Sequence, residues 1–143
     1  MRIFVDANIL VAVLNKQYPL FPYAARILSL SDKPNMQVYT SPICLSIAFY
    51  FAEKKSGTRQ AKNKIAVLSE KLEITITDQR AVKLATENPA VHDFEDGLEY
   101  YSAALSGCEA IITEDVNDFY FSEIPVYNCS TFFSNLELSK LNC

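Results

Sequence analysis

Short runs of β-branched and aromatic residues alternate along the chain with longer segments of helical spacing. The runs are Arg2–Val5, Gln37–Thr40, Glu73–Thr77, Ala110–Thr113 and Pro125–Tyr127. Alternation of this kind is typical of βαβ units, which place parallel strands side by side with helices packed on the sheet. The pattern therefore predicts a three-layer α/β/α fold with a central parallel sheet of about five strands.

Helix signals fill the intervening segments. Apolar spacing with flanking proline or glycine predicts Asn8–Leu14, a helix entered at Pro22, a helix from Pro42 to Gly57, Gln60–Lys71, Gln79–Glu87, Phe94–Ser106 and Thr131–Leu138. Asp78 and Asp93 directly precede two of these segments and are expected to be N-caps. Phe94, Leu98, Tyr101 and Leu105 recur at the spacing of one apolar helix face.

The length and composition fit one soluble domain over residues 1–143. Half of the residues are hydrophobic, which suffices for one core that covers both faces of a sheet. No apolar run reaches 18 residues, and Asp6 and Asn8 interrupt the apolar N-terminus, so neither a membrane span nor a signal peptide is expected. The cysteines Cys44, Cys108, Cys129 and Cys143 have no CxxC spacing, which favours reduced thiols in a cytoplasmic protein and excludes a zinc pattern.

The net charge of −4 excludes a globally basic nucleic-acid-binding protein, but the charge is uneven. One stretch holds five basic residues and no acid, namely Lys54, Lys55, Arg59, Lys62 and Lys64. The rest of the chain carries 13 − 5 = 8 basic residues against 17 acids. This stretch is a candidate for weak RNA binding, although the pattern by itself favours a solvated helix face.

Acidic side chains follow the predicted strands where the strands end. Asp6 follows the first strand, and Asp115 and Asp118 follow the fourth, while Asp93 and Asp96 stand at the start of a helix. Ligands bind beyond the carboxyl ends of parallel strands, so these acids are expected to meet at one edge of the sheet. Each acid taken alone has a structural interpretation as a helix cap or a turn residue.

Crowded carboxylates repel one another, and a hard divalent cation relieves that repulsion. Mg²⁺ or Mn²⁺ bound there would activate water and stabilise the charge of an in-line phosphodiester displacement. Neither histidine nor cysteine is required for that chemistry.

Four segments in order resemble the motifs of PIN domains. The first is Ile3 to Leu10, a hydrophobic strand followed by Asp6-Ala7-Asn8. The others are Asp93 to Ala104, Ile111 to Asp115 with Asp118-Phe119, and the tail Ile124 to Tyr127 followed by Phe132-Phe133. The resemblance spans nearly the whole chain.

The resemblance implies a metal-dependent ribonuclease of the VapC-like kind, in which a small toxin pairs with an antitoxin protein. It implies that Asp6, Asp96 and Asp115 are catalytic and bind Mg²⁺ or Mn²⁺ together with Asp118. Asn8, Asp93 and the hydroxyl of Thr113 would support them. A homodimer is expected from the same resemblance, and aromatic residues near predicted helix ends, such as Tyr18, Tyr50 and Tyr120, agree with a contact surface.

The second motif of the family departs from its pattern here. A glutamate is expected in the helix after the second strand, at or near Ile47. The next acid, Glu53, lies about 120° away around the helix and is not a replacement on the same face. Either Asp93 or Asp118 compensates in an active nuclease, or the domain is a weakened module that binds RNA or a protein partner.

A third hypothesis is a receiver-like or phosphatase domain with Asp6 as the nucleophile. That chemistry needs an adjacent acid after the first strand and a lysine after a late strand. Ala7 and Asn128 occupy those places, so this hypothesis ranks last.

Overall fold

The sheet is central, and every strand in it is parallel. In a computed structural model that describes residues 1–141, and side chains through residue 137, the strands are β1 (Arg2–Val5), β2 (Gln37–Thr40), β3 (Glu73–Ile74), β4 (Ala110–Ile112) and β5 (Val126–Tyr127). Their order in the sheet is β3-β2-β1-β4-β5. The predicted three-layer α/β/α fold is confirmed, and the third, fourth and fifth strands are shorter than the sequence predicted.

Seven α-helices lie in the described part of the chain. They are α1 (Ala7–Leu14), α2 (Phe21–Ser29), α3 (Pro42–Ser56), α4 (Thr58–Lys71), α5 (Gln79–Glu87), α6 (Phe94–Leu105) and α7 (Cys129–Leu141). Two 3-10 turns that the sequence did not predict cover Leu30–Asp32 and Val116–Phe119. No helix in this part of the chain is both long and apolar enough to cross a lipid bilayer.

Strands β1 and β4 lie at the centre of the hydrophobic core. Ile3, Phe4 and Val5 of β1 are fully buried, and so are all three residues of β4. Such continuous apolar runs are expected when helices cover both faces of a parallel sheet. Cys44, Cys108 and Cys129 are buried free thiols, as their apolar surroundings suggested for the first two, while Cys143 lies outside the described residues.

The helix N-caps predicted at Asp78 and Asp93 are confirmed. The Asp78 side chain accepts from the backbone N–H of Ala81 at the start of α5, and Asp93 accepts from that of Asp96 at the start of α6. Gly107 lies just beyond α6 with φ +74°, where a residue with a Cβ would be strained.

The buried face of α6 is not the one that the sequence indicated. Phe94 and Leu105 are exposed to 48% and 38%, whereas the buried residues of α6 are Gly97, Glu99, Tyr100, Ser102 and Ala103. Helix α6 packs closely on α5 and its entry loop, and a Cβ on Gly97 would lie 2.5 Å from Val91 Cγ1. Close packing against Val91 and Ala85 requires a residue without a Cβ at Gly97, so this side of α6 is buried while Phe94 and Leu105 remain exposed.

Candidate active site

An open acidic pocket lies at the carboxyl ends of β1 and β4. The strand order reverses here. Strands β2 and β3 lie on one side of β1, and strands β4 and β5 lie on its other side. A reversal of this kind leaves a crevice in which α/β proteins bind ligands. The pocket has a volume of about 480 Å³ and is lined by Asp6, Ala7, Asn8, Val11, Gln17, Leu20, Ile47, Phe51, Asp93, Glu95, Asp96, Glu99, Asp115 and Asp118.

Asp6 is the innermost strand-end acid and is only 8% exposed. It directly follows β1, and its Oδ1 accepts from the backbone N–H of Ala7, so it also begins helix α1. Its Oδ2 accepts from the Thr113 hydroxyl over 2.8 Å. Asp6 therefore both caps helix α1 and lines the pocket.

A hydrogen-bond network joins the ends of β1 and β4. Asn8 Nδ2 donates to Thr113 Oγ1 over 3.1 Å and to Asp115 Oδ2 over 3.2 Å. The backbone N–H of Asp115 donates to the same Thr113 hydroxyl oxygen over 3.1 Å. Asn8 and Thr113 thus hold Asp6 and Asp115 in fixed relative positions.

Helix α6 brings a second group of acids to the pocket. Asp93 caps the helix, and Asp96, in its first turn, lines the pocket beside it. Burial, followed by the negative charges of Asp93, Asp118, Asp6 and Glu95, raises the pKa of Asp96 to about 7. Glu95 also lines the pocket, and burial, followed by the charges of Asp93 and Asp6, raises its pKa.

The seven residues predicted to act in catalysis, metal binding or their support therefore lie together at one site. Asp6, Asn8, Asp93, Asp96, Asp115 and Asp118 line the pocket directly, and Thr113 lies behind Asp6. The exposed Asp118 comes from the 3-10 turn Val116–Phe119.

Helix α3 contributes an apolar wall. Ile47 is partly buried and lines the pocket at the place where the second motif would carry an acid. Glu53 is not in the pocket lining, and its carboxylate accepts from the Thr58 hydroxyl over 2.9 Å at the α3–α4 junction. The predicted separation of these two residues around the helix is confirmed.

Glu99 is the acid that sequence reasoning missed. It lies three residues after Asp96 on α6, lines the same pocket and is only 1% exposed. Burial, followed by the neighbouring Asp6 carboxylate, raises the pKa of Glu99 to about 10. The i, i+3 spacing from Asp96 was the available signal, because residues at that spacing share a helix face.

Three possible ligand atoms meet beneath Asp6. One oxygen each of Asp6 and Glu99 and the sulfur of Cys44 lie within 4.8 Å of one another, and among the described residues this is the one such group of three. Cys44 Sγ is 3.9 Å from Asp6 Oδ1. Burial, followed by the charges of Glu99 and Asp6, raises the pKa of the Cys44 thiol well above its usual value.

The donor set fits a hard divalent cation. Seven carboxylates line the pocket, and none of its lining residues within the described chain is a lysine, arginine or histidine. Glu99 Oε2 is buried and has no hydrogen-bond partner, so it is an oxygen ligand available to a cation. Oxygen donors of this type suit Mg²⁺ and Mn²⁺.

The five candidate RNA-binding residues lie outside the pocket lining. Lys64 donates to Leu14 O over 3.1 Å, Lys55 donates to Asn15 O, and Lys54 lies over the Tyr50 ring at 4.2 Å. Arg59 and Lys62 are exposed. The stretch begins one helical turn beyond Phe51, which does line the pocket.

The fold and the acidic strand-end pocket define a nuclease-like α/β domain, and sequence comparison gives its family. The PIN domain family matches residues 2–117, so the chain belongs to the PIN-domain family. This membership sets it apart from receiver-like and phosphatase domains.

Several known proteins are similar to this chain over most of its length. Ribonuclease VapC1 of Aquifex aeolicus is 23% identical over 138 residues, which is 92% of each chain. A chain of the Rickettsia felis VapBC2 structure, bound to a promoter DNA fragment, has a TM-score of 0.68 at 18% identity and covers 90% of this chain and 98% of its own. Mycobacterium tuberculosis VapC20, a toxin that cleaves the sarcin-ricin loop, has a TM-score of 0.60 at 20% identity, covering 76% of this chain and 86% of its own. At these identities the structures support the fold.

Proposed function

We propose that the protein is a divalent-metal-dependent endoribonuclease and the toxin of a toxin–antitoxin pair. The observation that carries the proposal is the convergence of Asp6, Asp96 and Asp115 on one pocket at the switch point of a PIN-domain sheet. The similarity to VapC1 and VapC20, which are named as a ribonuclease and an RNA-cleaving toxin, supports it.

Asp6, Asp96 and Asp115, with Asp118, would hold Mg²⁺ or Mn²⁺. When bound, such an ion would activate water and stabilise the charge that develops on the phosphoryl oxygens. Mg²⁺ keeps several of its waters in protein sites, so these side chains need not all contact it directly.

The chain's own residues would orient the reacting groups. Asn8 and Thr113 fix Asp6 against Asp115, so that the two strand-end carboxylates keep their separation when RNA binds. Asp96, in the first turn of α6, would help to hold the ion and with it the attacking water. The water would release a proton to solvent as its oxygen forms a bond to phosphorus, and the departing ribose oxygen would take up a proton as its bond to phosphorus breaks.

RNA and protein partners follow from the same proposal. Arg59 and Lys62 provide exposed positive charge in the first half of α4, and positive charge would attract the phosphates that an acidic pocket repels. Several exposed aromatic residues, including Tyr18 at 72%, Tyr23 at 53% and Tyr120 at 57%, are available for a homodimer or an antitoxin. A cytoplasmic location agrees with the unpaired thiols.

The test is Mn²⁺ titration by calorimetry followed by RNA cleavage in the same buffer, for the parent, Asp6→Asn and Asp78→Asn. Asp78 is a matched control, because both aspartates are N-caps and asparagine caps a helix about as well. Only Asp6 lies in the pocket, so Asp6→Asn is expected to lose Mn²⁺ binding and cleavage while Asp78→Asn retains both.

A parent protein that binds no Mn²⁺ in the millimolar range and cuts no RNA would overturn the proposal. Equal loss in both variants would mean that helix capping, not metal binding, explains the effect.

The second candidate is a weakened module that binds RNA or a partner without cutting. The apolar Ile47 in the pocket wall favours it. Mn²⁺ binding that depends on Asp6, with RNA binding but no cleavage of any RNA that a related VapC cuts, would select this candidate.

A further inference from the structure

Glu99 is buried beside Asp6 and Cys44, and these two side chains leave one of its carboxyl oxygens without a hydrogen-bond partner. It is 1% exposed, and its Oε2 atom makes no hydrogen bond. The ion pairs among the described residues join Lys71 to Asp32 and Lys83 to Glu87, and neither involves Glu99. Buried glutamates are rare unless they are paired or bind a metal, so the unpartnered oxygen of Glu99 marks a position where a bound cation would be stabilised.

The surroundings of Glu99 indicate the kind of ligand. One of its oxygens lies within 4.8 Å of an Asp6 oxygen, and the side chain lines the pocket that Asp6, Asp96 and Asp115 line. A ligand that satisfies a carboxylate among other carboxylates must be positively charged. The burial of Glu99 and the oxygen donors around it favour a divalent cation over a lysine or arginine of a partner.

Helix geometry explains how one element supplies two such groups. Asp96 and Glu99 are separated by three residues, so both project from one side of α6 towards the strand ends. Carboxylate-containing metal sites in helical proteins use the same i, i+3 spacing. Ile47 of α3 lines the same pocket, so an apolar residue and a carboxylate both face this space from two helices.

We propose that Glu99 is a metal ligand that replaces the acid absent at Ile47, so that the second-motif carboxylate comes from α6 instead of α3. This inference rests on the proposed metal-dependent activity. It assigns the compensating role to neither Asp93, which caps α6, nor the exposed Asp118.

The experiment compares Glu99→Gln with Glu99→Asp. Glutamine keeps the shape of the side chain and loses the charge, whereas aspartate keeps the charge and loses one methylene. Mn²⁺ affinity is measured by calorimetry and by the electron paramagnetic resonance signal of free Mn²⁺, with unfolding followed by circular dichroism. Glu70→Gln is the control, since Glu70 is an exposed glutamate of α4 outside the pocket.

If Glu99 is a ligand, Glu99→Gln weakens Mn²⁺ binding by roughly tenfold or more, and Glu99→Asp binds more tightly than Glu99→Gln. Glu70→Gln leaves the affinity unchanged. If Glu99 only fills space, glutamine is the better replacement, and the order of the two variants reverses. Unchanged Mn²⁺ affinity in Glu99→Gln would overturn the inference.

A rescue variant tests the exchange of positions directly. Adding Ile47→Glu to Glu99→Gln is expected to restore most of the lost Mn²⁺ affinity, and failure to restore any would contradict the proposed exchange. Asp6-dependent Mn²⁺ binding whose affinity is unchanged in Glu99→Gln refutes the role of Glu99 and leaves the proposed ribonuclease intact. Absence of Mn²⁺ binding in the parent refutes both.

Discussion

The Thr113 hydroxyl donates a hydrogen bond of 2.8 Å to Asp6 Oδ2, across 107 residues of sequence. The hydroxyl oxygen of Thr113 also accepts hydrogen bonds from Asn8 Nδ2 and from the backbone N–H of Asp115. One buried hydroxyl thus connects the residues that follow β1 and β4, and it fixes the orientation of the innermost acid.

Thr113→Val is expected to weaken Mn²⁺ binding about tenfold and to lower the free energy of unfolding by about 1–3 kcal/mol. The reason is that valine keeps the shape but leaves Asp6 and the Asp115 N–H without their shared partner. Calorimetry and urea unfolding measure the two effects. Thr113→Ser, which keeps the hydroxyl, should restore the affinity, and a serine variant as weak as the valine variant would show that packing matters instead.

Cys44→Ser is expected to leave Mn²⁺ affinity within a few fold of the parent. Burial raises the pKa of the Cys44 thiol, so the sulfur stays protonated and a hard cation prefers the nearby carboxylates. Parallel titrations with Mn²⁺ and Cd²⁺ provide the measurement. Loss of Mn²⁺ binding in Cys44→Ser would instead identify a thiolate ligand at the site.

The stability of the metal-free protein is expected to fall as the pH rises. The pKa of Glu99 is about 10 in the folded protein against an ordinary 4.5, so between these values the folded state holds a proton that the unfolded state has lost. The contribution of Glu99 is therefore complete below about pH 4.5 and is lost as the pH rises towards 10, with a slope approaching roughly 1 kcal/mol per pH unit.

Urea unfolding with a chelator present, at several pH values between 5 and 9, measures this slope. Glu99→Gln cannot titrate and should flatten it, whereas Glu70→Gln should not. A parent protein whose stability rises over that range would show that Glu99 is ionised in the folded state.

The basic residues of α3 and α4 are expected to divide into two groups. Arg59→Gln and Lys62→Gln should weaken RNA binding uniformly across sequences and reduce the salt dependence by about 0.7 per lost phosphate contact on single strands. Lys64→Gln should chiefly reduce stability, by about 1 kcal/mol, because Lys64 donates to Leu14 O and Ser56 Oγ.

Fluorescence anisotropy at several salt concentrations, together with urea unfolding, separates the two groups. An RNA affinity that none of these substitutions changes would leave the stretch as a solvated helix surface.

Much of the local structure could be predicted because its signals lie within a few residues. Asp78 and Asp93 cap the predicted helices, and Pro42 and Gly57 mark the limits of α3. The strand-end acids were also predictable, because parallel strands of any order bring their carboxyl ends to one edge.

Other features depend on contacts that no local pattern encodes. The sequence indicated Phe94 and Leu105 as part of the apolar face of α6, but close packing on α5 selected the face that carries Gly97 and Glu99. The burial of Glu99 follows from that rotation, and so does its position beside Asp6.

The sequence by itself therefore determined the order of elements, their caps and the acids that meet at one sheet edge. The tertiary structure decided which side of α6 faces the pocket and that Ile47 and Glu99 share its lining. The physical reason is that hydrogen-bonded caps and strand periodicity act over a few residues, whereas the rotation of a helix is set by the elements packed against it.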